Sequence, residues 1–207
     1  MSLMYRTYRQ ILRVLFVCLF NIRAFGRENV PKTGPVLMVS NHQSFFDPII
    51  NSLPLNREMD YMARESLFQN RLFAAQIRML NAFPVHRGSV DVSAIKEIIR
   101  RLKAGRAVVI YPEATRTRDG EIRPFKSGFE LIARKTHATI VPTLIDGAFE
   151  CWPRHKKLPS MGTILVMYGK PITARQVQNL PKGQVIDMIN RQMRQMQIEL
   201  KSTYAKE

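Results

Sequence analysis

Apolar positions along this chain recur with two different periods. Residues 36–40 (VLMVS), 107–111 (AVVIY) and 163–168 (TILVMY) are short apolar runs of the kind that form strands buried on both sides. Residues 61–64, 83–85 and 139–145 predict three further strands. Between these runs the apolar spacing turns helical. Ile95, Ile98, Ile99 and Leu102 share one face of a helix predicted over 92–104, with Gly105 to end it. Val185, Ile189, Met193, Met196 and Leu200 line one side of a last helix over 184–201, and this Met-rich stripe reads as a core-covering face. Other helices are expected over 67–80 and 127–135, and one near Asp47-Pro48, where Asp suits an N-cap and Pro the first turn. The alternation predicts an α/β fold: a single-domain three-layer α/β/α sandwich on a mixed, largely parallel sheet.

The N-terminal residues follow a different pattern. Residues 11–25 read ILRVLFVCLFNIRAF, and the longest unbroken apolar run, 14–20, falls far short of the ~20 residues a spanning helix needs. On a helical wheel Arg6, Arg9, Gln10 and Arg13 form a basic stripe, while Met4, Tyr8, Ile11, Leu15, Leu19 and Ile22 form an apolar face. This pattern fits a helix lying in a membrane interface, cations among the headgroups. Residues 1–27 are therefore expected to be an amphipathic interfacial segment, and 28–207 the globular domain. A secretory signal peptide shares the basic start and short apolar run, although Arg23 and Arg27 crowd any cleavage point near Ala24. An ordinary helix packed on the core is the other reading.

Composition narrows the function. At 207 residues and 45% hydrophobic, the chain can bury a full core without staples. Two cysteines, Cys18 and Cys151, make neither a disulfide framework nor a four-ligand zinc site. The net charge of +16 predicts an anionic partner: nucleic acid, an anionic membrane surface, or a phosphorylated substrate. Residues 1–35 carry six basic and one acidic side chain, 100–135 ten and four, and 170–207 seven and three, while 36–99 is neutral. The surplus is not one basic tail, and no helix-turn-helix, zinc-finger or RNP pattern accompanies it. A nucleic-acid partner is accordingly not expected.

Chemistry is suggested at four places. In Asn41-His42-Gln43-Ser44-Phe45-Phe46-Asp47, a histidine follows a buried strand and an aspartate stands where a helix begins. A loop between them can fold the carboxylate onto one ring nitrogen and leave the other as a proton acceptor, with Asp47 selecting the tautomer. A satisfied histidine beside a helix-capping aspartate is the structural alternative. No third metal ligand lies at ligand spacing. Phe83-Pro84-Val85-His86-Arg87-Gly88 offers a guanidinium fork, or simply a solvated arginine. Tyr111-Pro112-Glu113-Ala114-Thr115-Arg116-Thr117 follows the AVVIY strand, and strand C-terminal ends are where open α/β sheets bind ligands. Arg123 and Lys126 add positive field there. In Ile140-Val141-Pro142-Thr143, the proline is expected to interrupt strand pairing.

The order and spacing of these blocks resemble the lysophosphatidic acid acyltransferase (1-acyl-glycerol-3-phosphate acyltransferase) family over roughly residues 25–175. Asn41-His42 through Asp47 matches the family's Asn-His-x4-Asp, and Phe83 to Arg87 loosely matches its second block. Tyr111 to Thr117, trailed by Phe125-Lys126-Ser127-Gly128, matches the third, and Val141-Pro142 the fourth. Ala114 stands where the family has Gly, and a positive φ there would strain it. The resemblance implies that His42, held by Asp47, deprotonates the free hydroxyl of a lysophospholipid, which attacks a thioester donor, acyl-CoA or acyl carrier protein. Arg87, Glu113, Thr115, Arg116 and Lys126 would then bind the acceptor. No metal or cofactor is implied, and the enzyme is expected to lie peripherally or monotopically on the cytoplasmic face of the cell membrane. Glycerol-3-phosphate, another lysophospholipid or a lyso-aminolipid are alternative acceptors.

Overall fold

The computed structural model describes residues 3–86, 91–125 and 127–204. Helix α1 (Leu3–Leu19) passes without a linker into strand β1 (Phe20–Phe25). After a 3-10 turn at Arg27–Asn29 come β2 (Val36–Ser40), the single-turn α2 (Asp47–Ile50) and β3 (Met59–Arg64). A second 3-10 turn, Glu65–Phe68, leads to α3 (Arg71–Met79) and β4 (Ala82–Val85). The chain continues with α4 (Val92–Lys103), β5 (Ala107–Ile110), α5 (Gly128–Thr136), β6 (Thr139–Asp146) and α6 (Ala148–Cys151). It ends with β7 (Gly162–Tyr168), α7 (Ala174–Asn179) and α8 (Gln184–Tyr204).

Among the described residues the strands form one sheet in the order β1-β7-β6-β2-β5-β3-β4. Every neighbouring pair is parallel except β6 with β7, so the sheet is mixed and mostly parallel, as the sequence predicts. Side chains two apart share a face. Val36 and Met38 of β2 therefore join Val109, Val141, Ile164 and Phe16 in one core, while Leu37 and Val39 join Val108, Ile140 and Leu144 in the other. The second core is roofed by α4, α5 and α8, whose Val185, Ile189, Met193, Met196 and Leu200 are all buried, as their spacing requires.

Several elements differ from their sequence expectation. Residues 20–25 form a strand rather than the end of a helix, pairing in parallel with β7 from Phe20↔Gly162 to Phe25↔Met167. Phe20, Ile22 and Ala24 face the first core at a spacing of two, yet Leu15, Leu19 and Ile22 also fit a helical stripe. Within α1, Arg9 does not belong to a solvated stripe. It is buried, and its guanidinium donates to the Leu55 carbonyl at 2.6 Å. Tyr5, Arg9 and Phe16 are the buried line of α1, leaving Ile11, Val14, Leu15, Val17 and Leu19 exposed. No helix of the described residues is long and apolar enough to cross a membrane.

The helix expected over 67–80 is broken at Asn70, whose side chain caps α3 by accepting from the Phe73 N–H at 3.1 Å. Pro142 sits inside β6 in register with Val39 and does not interrupt its pairing with β2. Its nitrogen faces the other edge, past the last β7 pair Thr143↔Tyr168, where the Pro142 carbonyl still accepts the Gly169 N–H at 2.8 Å. The short helices α6 and α7 were not legible as apolar periods.

Candidate active site

The site grows out of the end of β2. Asn41, fully buried, lays its side-chain amide against Ile145 of β6: Nδ2 donates to the Ile145 carbonyl and Oδ1 accepts the Ile145 N–H, both at 2.8 Å. The amide imitates a peptide group and extends the β2–β6 ladder by one step while the main chain turns away. The next residue is His42. Its Nδ1 lies 2.7 Å from Oδ2 of Asp47, a carboxylate with no exposed surface. The same oxygen accepts the backbone N–H groups of Gln43 at 2.6 Å and Ser44 at 2.8 Å. Asp47 is the first residue of α2 rather than its cap, so its carboxylate is turned back on the loop it closes. Three donors on one oxygen fix both the loop and the imidazole, and Nε2 is the ring nitrogen left for other chemistry.

A second loop, following β5, locks His42 from the other side. Glu113 Oε1 accepts the His42 N–H at 3.0 Å, and the Thr117 N–H donates to the His42 carbonyl at 2.8 Å. The Tyr111 ring stacks on the imidazole, centroids 4.1 Å apart and planes 19° apart. Burial, and then the charge of Asp47, raises the Tyr111 pKa well above its ordinary value and keeps the phenol neutral. Its hydroxyl accepts from Asn51 Nδ2 at 3.1 Å. Burial pushes the Glu113 carboxyl up to about 7, against the lowering effect of the bond from the His42 N–H and of the nearby Arg123 backbone. Its Oε2 is buried without a hydrogen-bond partner, which accounts for the direction.

Glu113, read from the sequence as a substrate ligand, thus has one oxygen on the main chain of His42. Arg116 lies over the ring of Phe45, 3.5 Å from Cζ to the centroid, which places a cation on the loop that carries His42. Thr115 is exposed, with Oγ1 3.3 Å from the Arg116 carbonyl. Arg123 pairs with Asp119. Arg87 and Lys126 lie outside the described residues. Ala114 has φ 62°, the left-handed conformation that glycine adopts freely and alanine only at a cost of roughly 1 kcal/mol.

Sequence reasoning missed the residues that bind the loops together. Gln43 bridges two segments, with Nε2 donating to Gly120 at 3.2 Å and Oε1 accepting from the Phe149 N–H at 3.3 Å. Ser44 Oγ donates to the Trp152 carbonyl at 2.9 Å. Polar side chains between two apolar elements signal a loop, but their partners are 77 to 108 positions away and no local pattern encodes them. Beside the loop, an apolar cavity of 320 Å³ is walled by Leu12, Phe45, Phe46, Met62, Phe73 and Trp152 among others.

The site is thus an oriented imidazole at the C-terminal end of β2 in a mostly parallel sheet, beside a cation and an apolar cavity. The sequence model of the Acyltransferase family matches residues 21–146, more than half of the chain, and the chain belongs to that family. Several of the relatives it matches are named 1-acyl-sn-glycerol-3-phosphate acyltransferases. The one from Bacillus subtilis (strain 168) is 28% identical over 204 residues, covering 95% of this chain and 98% of the relative. A chloroplastic one from Arabidopsis thaliana is 31% identical over 157 residues, covering 74% of this chain but only 44% of that longer protein. The crystal structure of the 1-acyl-sn-glycerophosphate acyltransferase from Thermotoga maritima shares the fold, with a TM-score of 0.80 at 24% identity over 95% of this chain and 80% of that one.

Proposed function

We propose that this acyltransferase moves a fatty acyl group from a thioester, acyl-CoA or acyl carrier protein, to the free hydroxyl of lysophosphatidic acid, giving phosphatidic acid. The observation that carries the reading is the 2.7 Å contact between His42 Nδ1 and Asp47 Oδ2. It leaves Nε2 as the base. Nε2 takes the hydroxyl proton as the oxygen attacks the thioester carbonyl, and Asp47 stabilises the imidazolium that forms. The tetrahedral intermediate collapses with loss of the thiolate, which receives the proton back from His42. Arg116 pairs with the acceptor phosphate, joined by Arg87, Lys126 and Thr115. Glu113 acts through the main chain of His42. The apolar cavity beside Phe45 and Phe46 takes an acyl chain, because its lining offers little but hydrocarbon. The scheme uses side chains and two substrates, with no metal or cofactor.

The exposed apolar residues of α1 (Ile11, Val14, Leu15, Val17) lie in the interface of an anionic membrane, with Arg6 and Arg13 among the headgroups. The enzyme works peripherally or monotopically, on the cytoplasmic face of that membrane.

The test crosses both donors with lysophosphatidic acid, glycerol-3-phosphate and a second lysophospholipid, using purified protein. Phosphatidic acid should form fastest, and His42→Ala should lower kcat by about 10²–10⁴-fold with the fold intact. Asp47→Asn can retain an oxygen for the Gln43 and Ser44 amides while losing the charge, and should lower kcat over a similar range. Wild-type turnover in His42→Ala would falsify the mechanism.

A further inference from the structure

The segment between α6 and β7 is a short protrusion of which Trp152 alone, a wall of the apolar cavity, enters the scheme above. Its base is closed by the Ser160 N–H on the Cys151 carbonyl at 2.7 Å. Inside that closure the Lys156 N–H bonds the Pro153 carbonyl at 3.2 Å, and Trp152 Nε1 donates to the Lys156 carbonyl at 3.1 Å. Such a short loop with adjoining ends holds its own shape. Residues 152–161 read WPRHKKLPSM: three permanent cations, a histidine and no carboxylate. Leu158 is 78% exposed and Met161 80%, among the most exposed large apolar side chains of the described residues.

We propose that residues 152–161 are a second membrane-contacting element, distinct from α1, that docks on an anionic lipid surface beside the mouth of the apolar cavity. This rests on the reading that the enzyme draws a lipid from a bilayer. Lys156 and Lys157 meet lipid phosphates, and Leu158 and Met161 enter the acyl boundary, the mixed pattern of interfacial segments. An acidic protein partner would satisfy the cations but leave Leu158 and Met161 bare. Position supports lipid as well. The foot of the protrusion, Trp152, packs on Phe46 with centroids 4.7 Å apart, and Phe46 packs on Phe16 of α1 at 4.9 Å. One ring thus separates the two exposed apolar elements, and Trp152 and Phe46 both wall the cavity. Through Ser44 Oγ on the Trp152 carbonyl, the protrusion is also fastened to the His42 loop.

The experiment is vesicle sedimentation of the full chain with phosphatidylcholine vesicles, with and without phosphatidylglycerol. Two double variants are compared with wild type: K156E/K157E and L158S/M161S. The charge-reversed variant should lose about tenfold or more in affinity for the phosphatidylglycerol vesicles. The serine variant should lose several-fold on both surfaces. Both should keep wild-type kcat on a short-chain acceptor dissolved as monomer. Unchanged vesicle affinity in both variants overturns the proposal. So does intact vesicle affinity with a raised KM for the thioester donor, which would assign the protrusion to the donor instead. Because sedimentation needs no turnover, the result stands whatever the acyl-transfer assays give.

Discussion

The carboxyl of Glu113 holds a proton up to about pH 7 because one of its oxygens is buried without a partner. An unfolded glutamate ionises near 4.5, so between those values the unfolded chain has lost a proton that the folded one keeps. The stability this contributes is complete below pH 4.5 and is lost as pH rises through 7, by at most about 3 kcal/mol. Glu113→Gln should abolish that slope in denaturant melts at pH 5 and pH 8. The amide also keeps an acceptor for the His42 N–H, so its kcat should stay within a few-fold of wild type. Glu113→Ala removes the acceptor and should lower kcat about 10–100-fold with little change in acceptor KM. A large rise in KM in both variants would mean that Glu113 touches substrate after all. The contact of His42 with Asp47 and the Ala114 departure are legible in the sequence, because each sits at fixed spacing in a short block. The bond that Glu113 makes is not, because the partner of its Oε1 is a main-chain amide 71 positions earlier.

Strands and helices whose apolar period was long enough to be unambiguous stand where the sequence puts them. β2 spans Val36–Ser40, and α8 buries the predicted stripe. Errors fall where a short pattern fits both periods, as at Phe20–Phe25, or where a polar side chain ends a helix, as Asn70 does. A further join between elements depends on charge that no period announces. Asp60 of β3 has no exposed surface and meets Arg101 of α4 at 2.9 Å, while Arg106, just before β5, grips the same carboxylate with two nitrogens. Arg101 also bonds Glu97, tying α4 to itself and to the sheet. Removing the buried charge leaves Arg101 with the Glu97 carboxylate and Arg106 with Glu58 at 3.7 Å. Asp60→Asn should therefore destabilise the protein by about 1.5–3 kcal/mol, read as a drop in the urea midpoint. A loss under about 1 kcal/mol would show that water replaces the carboxylate.

For the whole molecule, the surplus of +16 is spread along the chain and part of it is consumed inside. Arg9, Arg57 and Arg101 bond carbonyls or carboxylates of the fold, and cannot all serve an outside partner. What remains on the surface is screened by salt, with a Debye length of about 10 Å at 0.1 M. Raising salt to about 0.5 M should weaken retention on anionic vesicles several-fold while turnover on a dissolved acceptor stays constant. Retention independent of salt would mean that apolar insertion alone holds the enzyme. The direct passage of α1 into β1 then takes on a mechanical meaning. A flexible tether would let the domain tumble above its anchor. Here the helix is clamped by Phe16 in the core, by Arg9 on Leu55, and by an edge strand that begins at the very next residue. With a lipid surface under α1, His42 stands at one fixed height above it. Which hydroxyl it reaches becomes a matter of depth in the leaflet as well as of affinity.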